Sequence, residues 1–389
     1  MTKLLQHLVR QFVRLLSLPL IATVNLTLRA FDTGRVIRIV VMDSRYFGHQ
    51  ALEPEVFWNE WQSAVECGSR DYWFCCLGPR RNSSNPFLWG LTKRKFPVLP
   101  SWFVTSVAHW SRRFRFESIV LQDASIYRLN FLTSRETTLP VGDAVVARRS
   151  QILSRLAEPD RPYVVFTIRE FNPLDDHNDL RNRQIADFSL GMSELVHRGF
   201  NVIRLMSKTQ DPLIAFDRHH LDWQVERDGE PGDELALLSG AAFVVSTTTG
   251  GDCLALGYRR PVLYIDCARF FLVFLGTELA SFSVPLMYDI QTKEQLGLGA
   301  LLERGLGWVG DQRLFTKAGV MVAPSDPERL RSQIVEYVVG LTAGWSISQE
   351  AAQQEWRETL GNELGSEIDA RHGQVRARML DSSIDEFVN

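Results

Sequence analysis

Short, unbroken apolar runs recur along this chain, and most of them end in a polar loop that leads into a helical pattern. Arg35–Met42 (RVIRIVVM), Tyr72–Leu77 (YWFCCL) and Phe116–Leu121 are the early ones. Tyr163–Ile168 (YVVFTI), Phe200–Met206 (FNVIRLM), Ala241–Val245 and Val262–Ile265 follow. Runs without polar alternation suit strands covered on both faces, and strands separated by helices suit parallel sheets. Two such series, one from Arg35 and one from Tyr163, predict an α/β chain of two doubly wound, Rossmann-like domains facing a cleft. The expected join is near residues 155–161, giving domains 31–158 and 159–343, a basic segment 1–30 and a polar helical tail 344–389.

The helices are read from spacing. Glu53–Trp61 follows the first strand; Ile185, Phe188, Met192 and Leu195 share a face that stops at Gly199. Ser325 and Glu328 have the spacing of a capping box, ahead of Leu330, Ile334 and Val338.

At 389 residues, 45% hydrophobic and 23% charged, the chain has material for two folded cores, and a disordered class is excluded. Net charge is -3 and no stripe of Lys and Arg stands out, which argues against a nucleic-acid partner. Cys67, Cys75, Cys76, Cys253 and Cys267 lack metal-site spacing and suit a reducing compartment, with Cys75 and Cys76 in a core.

The N-terminal segment places Leu5, Leu8, Phe12 and Leu15 at helical spacing and Lys3, His7, Arg10 and Arg14 on another face. Its uncharged stretch Leu15–Leu28 has fourteen residues, short of the roughly 20 that span a bilayer. Three readings stay open: a helix in an anionic membrane surface, a helix packed on the chain's own core, and insertion.

In doubly wound domains, ligands bind beyond the carboxyl ends of the strands, so the loops there hold the candidate site. Arg169 closes the Tyr163 run, and its guanidinium suits paired bonds to a diphosphate. The same loop runs Asp175-Asp176-His177-Asn178-Asp179-Leu180-Arg181-Asn182. Those carboxylates are donors of the type a divalent cation takes, but they equally suit an exposed loop in which Asp179 caps the next helix. His177, Arg181 and Asn182 are candidate phosphate contacts, and no metal site or cofactor is assigned. Arg204 is either a further contact or a strand-end salt bridge.

Ser246-Thr247-Thr248-Thr249-Gly250-Gly251 follows another strand. Small residues there would let the backbone approach an anion, and the N–H groups of a helix start would meet its charge. Neither a P-loop, a G-x-G-x-x-G fingerprint nor a G-x-S-x-G elbow is present. His49, in the Gly48-His49 pair after the first strand, is the candidate base, with Asp43 and Glu170 as rivals.

Together these pieces resemble bacterial glycosyltransferases of the cleft-forming two-domain type (GT-B) that serve surface-carbohydrate biosynthesis. They are similar to fucosyl- and heptosyl-transferase architectures. The resemblance is carried by Gly48-His49, Arg169-Glu170, His177 with Arg181-Asn182, Gly199–Arg204, Asp233, Ser246–Gly250 and Gly257-Tyr258-Arg259-Arg260-Pro261. It departs at Leu205-Met206-Ser207, where a glycine is expected, and at Gly251-Asp252, where one glycine and an apolar residue are more usual.

The resemblance implies transfer of a sugar from a nucleotide-diphosphate donor, bound by the C-terminal domain, to a glycan or lipid-linked acceptor on the side of the N-terminal domain. It further implies inversion without a metal ion. His49, Arg169 and Glu170 would be catalytic. Arg169, His177, Arg181, Asn182, Arg204 and Ser246, Thr247, Thr248, Thr249, Gly250 would hold the donor. The expected location is the cytoplasm, with contact to the inner membrane surface left open. Two alternatives stand beside this: a non-catalytic sugar-nucleotide or glycan-binding protein of the same fold, and a sugar-nucleotide epimerase or phosphohydrolase.

Overall fold

The computed structural model describes residues 3–30, 34–111, 113–114, 116–123, 136–170, 179–206, 217–224, 229–230, 232–268, 276–306, 309–345, 350–359 and 375–387. It divides into two units, Met1–Ile126 and Tyr127–Asn389.

The first unit runs α1 (Lys3–Ala30), β1 (Ile37–Met42), α2 (Phe47–Glu66), β2 (Tyr72–Leu77), α3 (Pro86–Lys95), β3 (Val98–Leu99), α4 (Ser101–Ser111) and β4 (Ile119–Asp123). Its sheet is parallel, in the order β3-β2-β1-β4. Side chains of a strand alternate between the faces. Ile39 and Cys76 therefore join Ile21, Val104, Val107 and Trp110 under α1 and α4. Val40, Met42, Cys75 and Leu77 pack with Phe57 and Phe96 on the other face. Asn85 caps α3 by accepting from the N–H groups of Phe87 and Leu88, with Pro86 in the first turn where its missing donor costs nothing.

The second unit contains α5 (Asp143–Leu153), β5 (Tyr163–Thr167), α6 (Ser189–His197), β6 (Asn201–Met206), β7 (His220–Gln224), α7 (Asp233–Gly240), β8 (Phe243–Ser246), α8 (Gly250–Gly257), β9 (Val262–Tyr264), β10 (Ala280–Phe282) and β11 (Leu286–Asp289). Then come α9 (Leu298–Glu303), α10 (Gln312–Lys317), β12 (Val320–Ala323), α11 (Pro327–Ala343), a helix α12 at 350–359, β13 (Arg378–Met379) and α13 (Asp381–Phe387). Seven strands form one parallel sheet in the order β13-β10-β9-β8-β5-β6-β7. Chain order thus reverses between β5 and β8, which is the switch point of a doubly wound sheet. Val164, Phe166, Val202, Val245 and Leu263 pack against Phe188, Met192, Leu195, Leu330, Ile334 and Tyr337 of the flanking helices. The α/β class with parallel, helix-covered sheets is what the structure has.

Several boundaries differ from the sequence reading. The join lies upstream of 155–161, because α5 belongs to the second unit. There, Arg148 forms a two-pronged ion pair with buried Asp233 of α7, at 2.7 and 2.9 Å. Helix α2 starts at Phe47, so His49 lies in its first turn and not in a loop. The helical stretch expected over Glu53–Trp61 is thus the middle of a longer helix, which contains Pro54. The expected strand Phe116–Leu121 is found at Ile119–Asp123.

The capping box is absent. Asp326 caps α11 by accepting from the Arg329 N–H at 2.8 Å, while Ser325 is turned inward to Asp266. Nor does Asp179 cap a helix: it accepts from Arg181, and its backbone bridges to Asp311. The polar tail is a built part of the unit, since β13 extends the large sheet and Trp356, Met379, Leu380 and Ile384 are buried.

Candidate functional site

In the second unit, the loops after β5 and β8 leave neighbouring strands at the switch point, with Thr167 and Ser246 paired in register. Their first residues are bonded to each other. The Arg169 N–H donates to Thr247 Oγ1 at 2.8 Å. Arg181 Nη1 lies 3.4 Å from the Thr248 carbonyl, and Arg169 Nε donates to Asn182 Oδ1 at 3.0 Å. Two guanidinium groups, an amide and the hydroxyl turn therefore meet at one spot, which is where a doubly wound sheet opens its crevice.

The turn is shaped for close approach. Thr248 has φ +59°, a left-handed conformation rare for a β-branched residue and one that marks strain. Thr249 is the N-cap of α8, accepting from the Gly251 N–H at 3.3 Å. A side chain at Gly251 would bring its Cβ within 2.8 Å of Thr167 Cγ2, so only glycine lets α8 start this near β5. Thr167 is buried, and its Oγ1 has no hydrogen-bond partner among the described residues. A buried hydroxyl without a partner, beside a helix start, is suited to a ligand that brings its own acceptor.

Charge at this spot is balanced by Asp179. Burial pushes its carboxyl up, but bonds from Arg181 and the charges of Arg181 and Arg169 outweigh that and hold it below the ordinary 3.8. Arg183 supports the arrangement from beneath: its N–H donates to the Arg169 carbonyl at 2.9 Å. Its buried guanidinium pairs with Asp266 at 3.1 Å and bonds the Ser325 carbonyl at 2.6 Å. This network ties the loop that carries Arg169 and Arg181 to the start of α11.

Other members of the expected set are placed differently. Arg204 is buried in β6, where it pairs with Glu170 and, at 3.2 Å, with Asp222. That makes it a structural ion-pair centre and removes it from the donor contacts. Glu170 in turn is held in the ion pair with Arg204. His177 lies outside the described residues, as do Asp175, Asp176 and Asn178. Ser246 is fully buried and donates to Asp252 Oδ2 at 3.2 Å, so its hydroxyl supports the turn from below. Among the described residues, no group of three or more His, Cys, Asp or Glu is arranged to hold a metal ion.

The sequence reading gave no role to Thr167, Arg183 or Asp252. Thr167 and Asp252 adjoin residues it singled out, and their burial is the signal that only a fold supplies. Asp252, in the first turn of α8, is fully buried, and burial raises its carboxyl to about 7 despite bonds from Cys253 and Ser246.

The first unit holds a separate arrangement. His49 Nδ1 is 2.7 Å from Glu53 Oε1, one helical turn on, and Glu53 Oε2 accepts the Asp43 N–H at 2.6 Å. Glu53 is buried while His49 is part-exposed. The bond to Glu53 raises the imidazole above its ordinary 6.5, against burial, which lowers it. Burial likewise raises Glu53, against the His49 bond. A carboxylate bonded to Nδ1 of a half-exposed imidazole orients the ring and makes Nε2 the nitrogen that can accept a proton. Asp43 is engaged by Arg45 at 2.6 Å, which, with burial opposing, holds its carboxyl below 3.8. It is thereby a weaker base than His49.

No family model matches the chain, and no curated protein does. Solved structures do. Escherichia coli ADP-heptose LPS heptosyltransferase II is similar over 59% of this chain and 84% of its own, at 10% identity and a TM-score of 0.37. E. coli heptosyltransferase WaaC with ADP covers 59% of this chain and 87% of its own, at 13% identity and a TM-score of 0.32. A glycosyl transferase family 9 protein of Veillonella parvula covers 59% and 80%, at 8% identity and a TM-score of 0.34. Heptosyltransferases, the kind of architecture the sequence motifs resemble, are thus among the structural neighbours. At these scores the functional reading rests on the chain's own residues.

Proposed function

We propose that this chain is a glycosyltransferase that takes a sugar from a nucleotide-diphosphate donor and passes it, with inversion and without a metal ion, to a hydroxyl of a glycan or lipid-linked acceptor. The observation that carries the reading is the Arg169 N–H to Thr247 Oγ1 bond, which joins the strand-end arginine to the hydroxyl–glycine turn at the switch point. Arg169, Arg181 and the N–H groups at the start of α8 are the charge partners for a leaving diphosphate, and Thr167 Oγ1 is a further donor.

In the proposed step the acceptor oxygen bonds to the anomeric carbon as the bond from that carbon to the diphosphate oxygen breaks. The electron pair leaves with the diphosphate. His49 takes the acceptor proton at Nε2, and Glu53 stabilises the imidazolium that results.

A panel of nucleotide sugars, screened by thermal protection and then by product analysis, tests this. The right donor at a hundredfold excess over its Kd stabilises the chain by about 2.7 kcal/mol, and a glycosylated acceptor accumulates with EDTA present. Protection without transfer or hydrolysis favours the binding protein, and a free sugar phosphate or an epimerised donor favours the other enzymes. Loss of activity with EDTA overturns the metal-independent mechanism.

The base assignment carries its own expected result. Because His49 must be unprotonated to act and its pKa is raised by Glu53, the rate should climb with pH through a midpoint above 6.5. Glu53→Gln removes the cause, so the limb moves to lower pH while the maximal rate falls about tenfold or more. A pH–rate profile unchanged by Glu53→Gln would remove His49 from the reaction.

A further inference from the structure

The carboxyl ends of β1 and β2 frame a second arrangement around His49. The loop after β2 rests on Ser44 at both of its ends. A Cβ at Gly78 would stand 2.7 Å from Ser44 Oγ, and the Ser84 N–H donates to the Ser44 carbonyl at 3.0 Å. Gln50, buried in α2 and next to His49 in the chain, grips the same loop with its whole amide. Its Nε2 donates to Ser83 Oγ and the Asn85 carbonyl, at 2.8 and 2.6 Å. Its Oε1 accepts from Ser84 Oγ and the Asn85 N–H, at 2.8 and 2.9 Å. A buried amide with both donors and both lone pairs used holds its partners in one arrangement.

Between the gripped ends, a single 3-10 turn, Arg80–Asn82, carries Arg80 and Arg81. Both are exposed, and neither side chain has a hydrogen-bond or ion-pair partner among the described residues. Asp43 is taken by Arg45, at 2.9 and 2.6 Å. Ser44, on which the loop is seated, is two residues from Tyr46 and five from His49, so both arginines are held beside the first turn of α2. Tyr46 is 59% exposed, with its ring 5.7 Å from that of His49 and the Arg45 guanidinium over it at 5.6 Å. An aromatic ring left in water beside a proton acceptor is a surface for the apolar C–H face of a sugar.

The arginine pair selects the rest of that ligand. One guanidinium fork satisfies a carboxylate, whereas two adjacent forks match the additional oxygens and the greater charge of a phosphate. The unit as a whole favours an anion: residues 1–126 hold sixteen Lys and Arg against nine Asp and Glu, while 127–389 hold 27 against 37. We propose that Arg80 and Arg81 hold a phosphate group of the acceptor, with the acceptor sugar on Tyr46 and its reacting hydroxyl at His49. The acceptor is then a phosphorylated sugar, free or linked through its phosphate to a lipid. The placing of the hydroxyl rests on the transferase reading; the phosphate site rests on the loop itself.

Phenylglyoxal, which modifies accessible guanidinium groups, tests the site on the full chain, with labelled arginines mapped by peptide mass. Glucose 6-phosphate should shield Arg80 and Arg81, and glucose should not. Exposed Arg70, just before β2, and Arg94, in the last turn of α3, lie at the other end of the sheet and should label at an unchanged rate. Tyr46→Ala should reduce the shielding by glucose 6-phosphate to that given by inorganic phosphate. Shielding that is absent, equal at all four arginines, or indifferent to Tyr46→Ala overturns the proposal. In transfer assays, Arg80→Gln with Arg81→Gln should raise the KM of a phosphorylated acceptor about tenfold or more and leave thermal protection by the donor as it is. A sugar 6-phosphate and an alkyl-diphosphate-linked sugar, run side by side, separate the free from the lipid-linked source by their KM values. An unchanged KM in the folded double variant overturns the proposal. Absence of transfer from every donor counts against the transferase reading instead, and the labelling, which needs no substitution in the loop, then decides the phosphate site.

Discussion

Arg169→Ala should lower kcat/KM for glycosyl transfer by roughly 10²–10³-fold while leaving the melting temperature close to that of the parent chain. The size follows from what is removed: a guanidinium at the carboxyl end of β5, where the proposed mechanism has the leaving diphosphate gather charge. The intact fold follows from how it is held. Its side chain is 34% exposed, and it bonds the Asn182 amide and approaches Asp179 at 3.7 Å. The bond that fixes the turn comes from its main chain to Thr247, which alanine keeps. Asp179 also keeps Arg181 at 2.6 Å, so no carboxylate is abandoned. Arg169→Lys should recover little of the rate, because an ammonium cannot reproduce a two-pronged contact with phosphate oxygens. Arg204 gives the contrast. It is buried between Glu170 and Asp222, and its loss would damage the fold, whatever it did to activity. Full transfer activity in a well-folded Arg169→Ala protein would remove the diphosphate site from this loop.

The order of strands was legible because unbroken apolar runs such as Tyr163–Ile168 have little else they can be. The helix before Gly199 and the stop at Gly199 itself were legible too, since φ there is +87°, where glycine is at ease. What stayed hidden depends on distant partners. Arg204 lies within an apolar run and Arg169 just after one, and as letters neither shows its partner. Only the sheet shows that β7 brings Asp222 beside Arg204, while β8 brings Thr247 beside Arg169. The strand within the tail was missed for a related reason. Two residues, Arg378 and Met379, are too few for a periodic signal, yet they extend a seven-stranded sheet. His49 was found but misplaced, because the helical stretch was read only from Glu53 and the pairing with Glu53 needs the helix to begin a turn and a half earlier.

Asp252 yields the other large effect, through pH. Its carboxyl titrates near 7 in the folded chain and near 3.8 when free. Between those values the folded chain holds a proton that the unfolded chain has released, so stability must fall as pH rises through that interval. The loss amounts to about 4 kcal/mol by pH 7 and persists above it. Asp252→Asn keeps the shape, can still accept from the Cys253 N–H and can donate to Ser246 Oγ, but has no charge to bury. It should match the parent chain near pH 4 and exceed it by a few kcal/mol at pH 8, as measured by denaturant unfolding across the range. The same carboxyl stands in the first turn of α8, where the proposed diphosphate meets the helix start. A second anion there is tolerated only while Asp252 is protonated, so donor affinity in the parent chain should weaken above pH 7 and that of Asp252→Asn should not. Arg181 draws the carboxyl toward its charged form, which moves the midpoint of this loss but not its sign. Equal unfolding free energies for the two proteins at pH 8 would mean that water reaches Asp252, and the pH dependence of donor binding would then need another group.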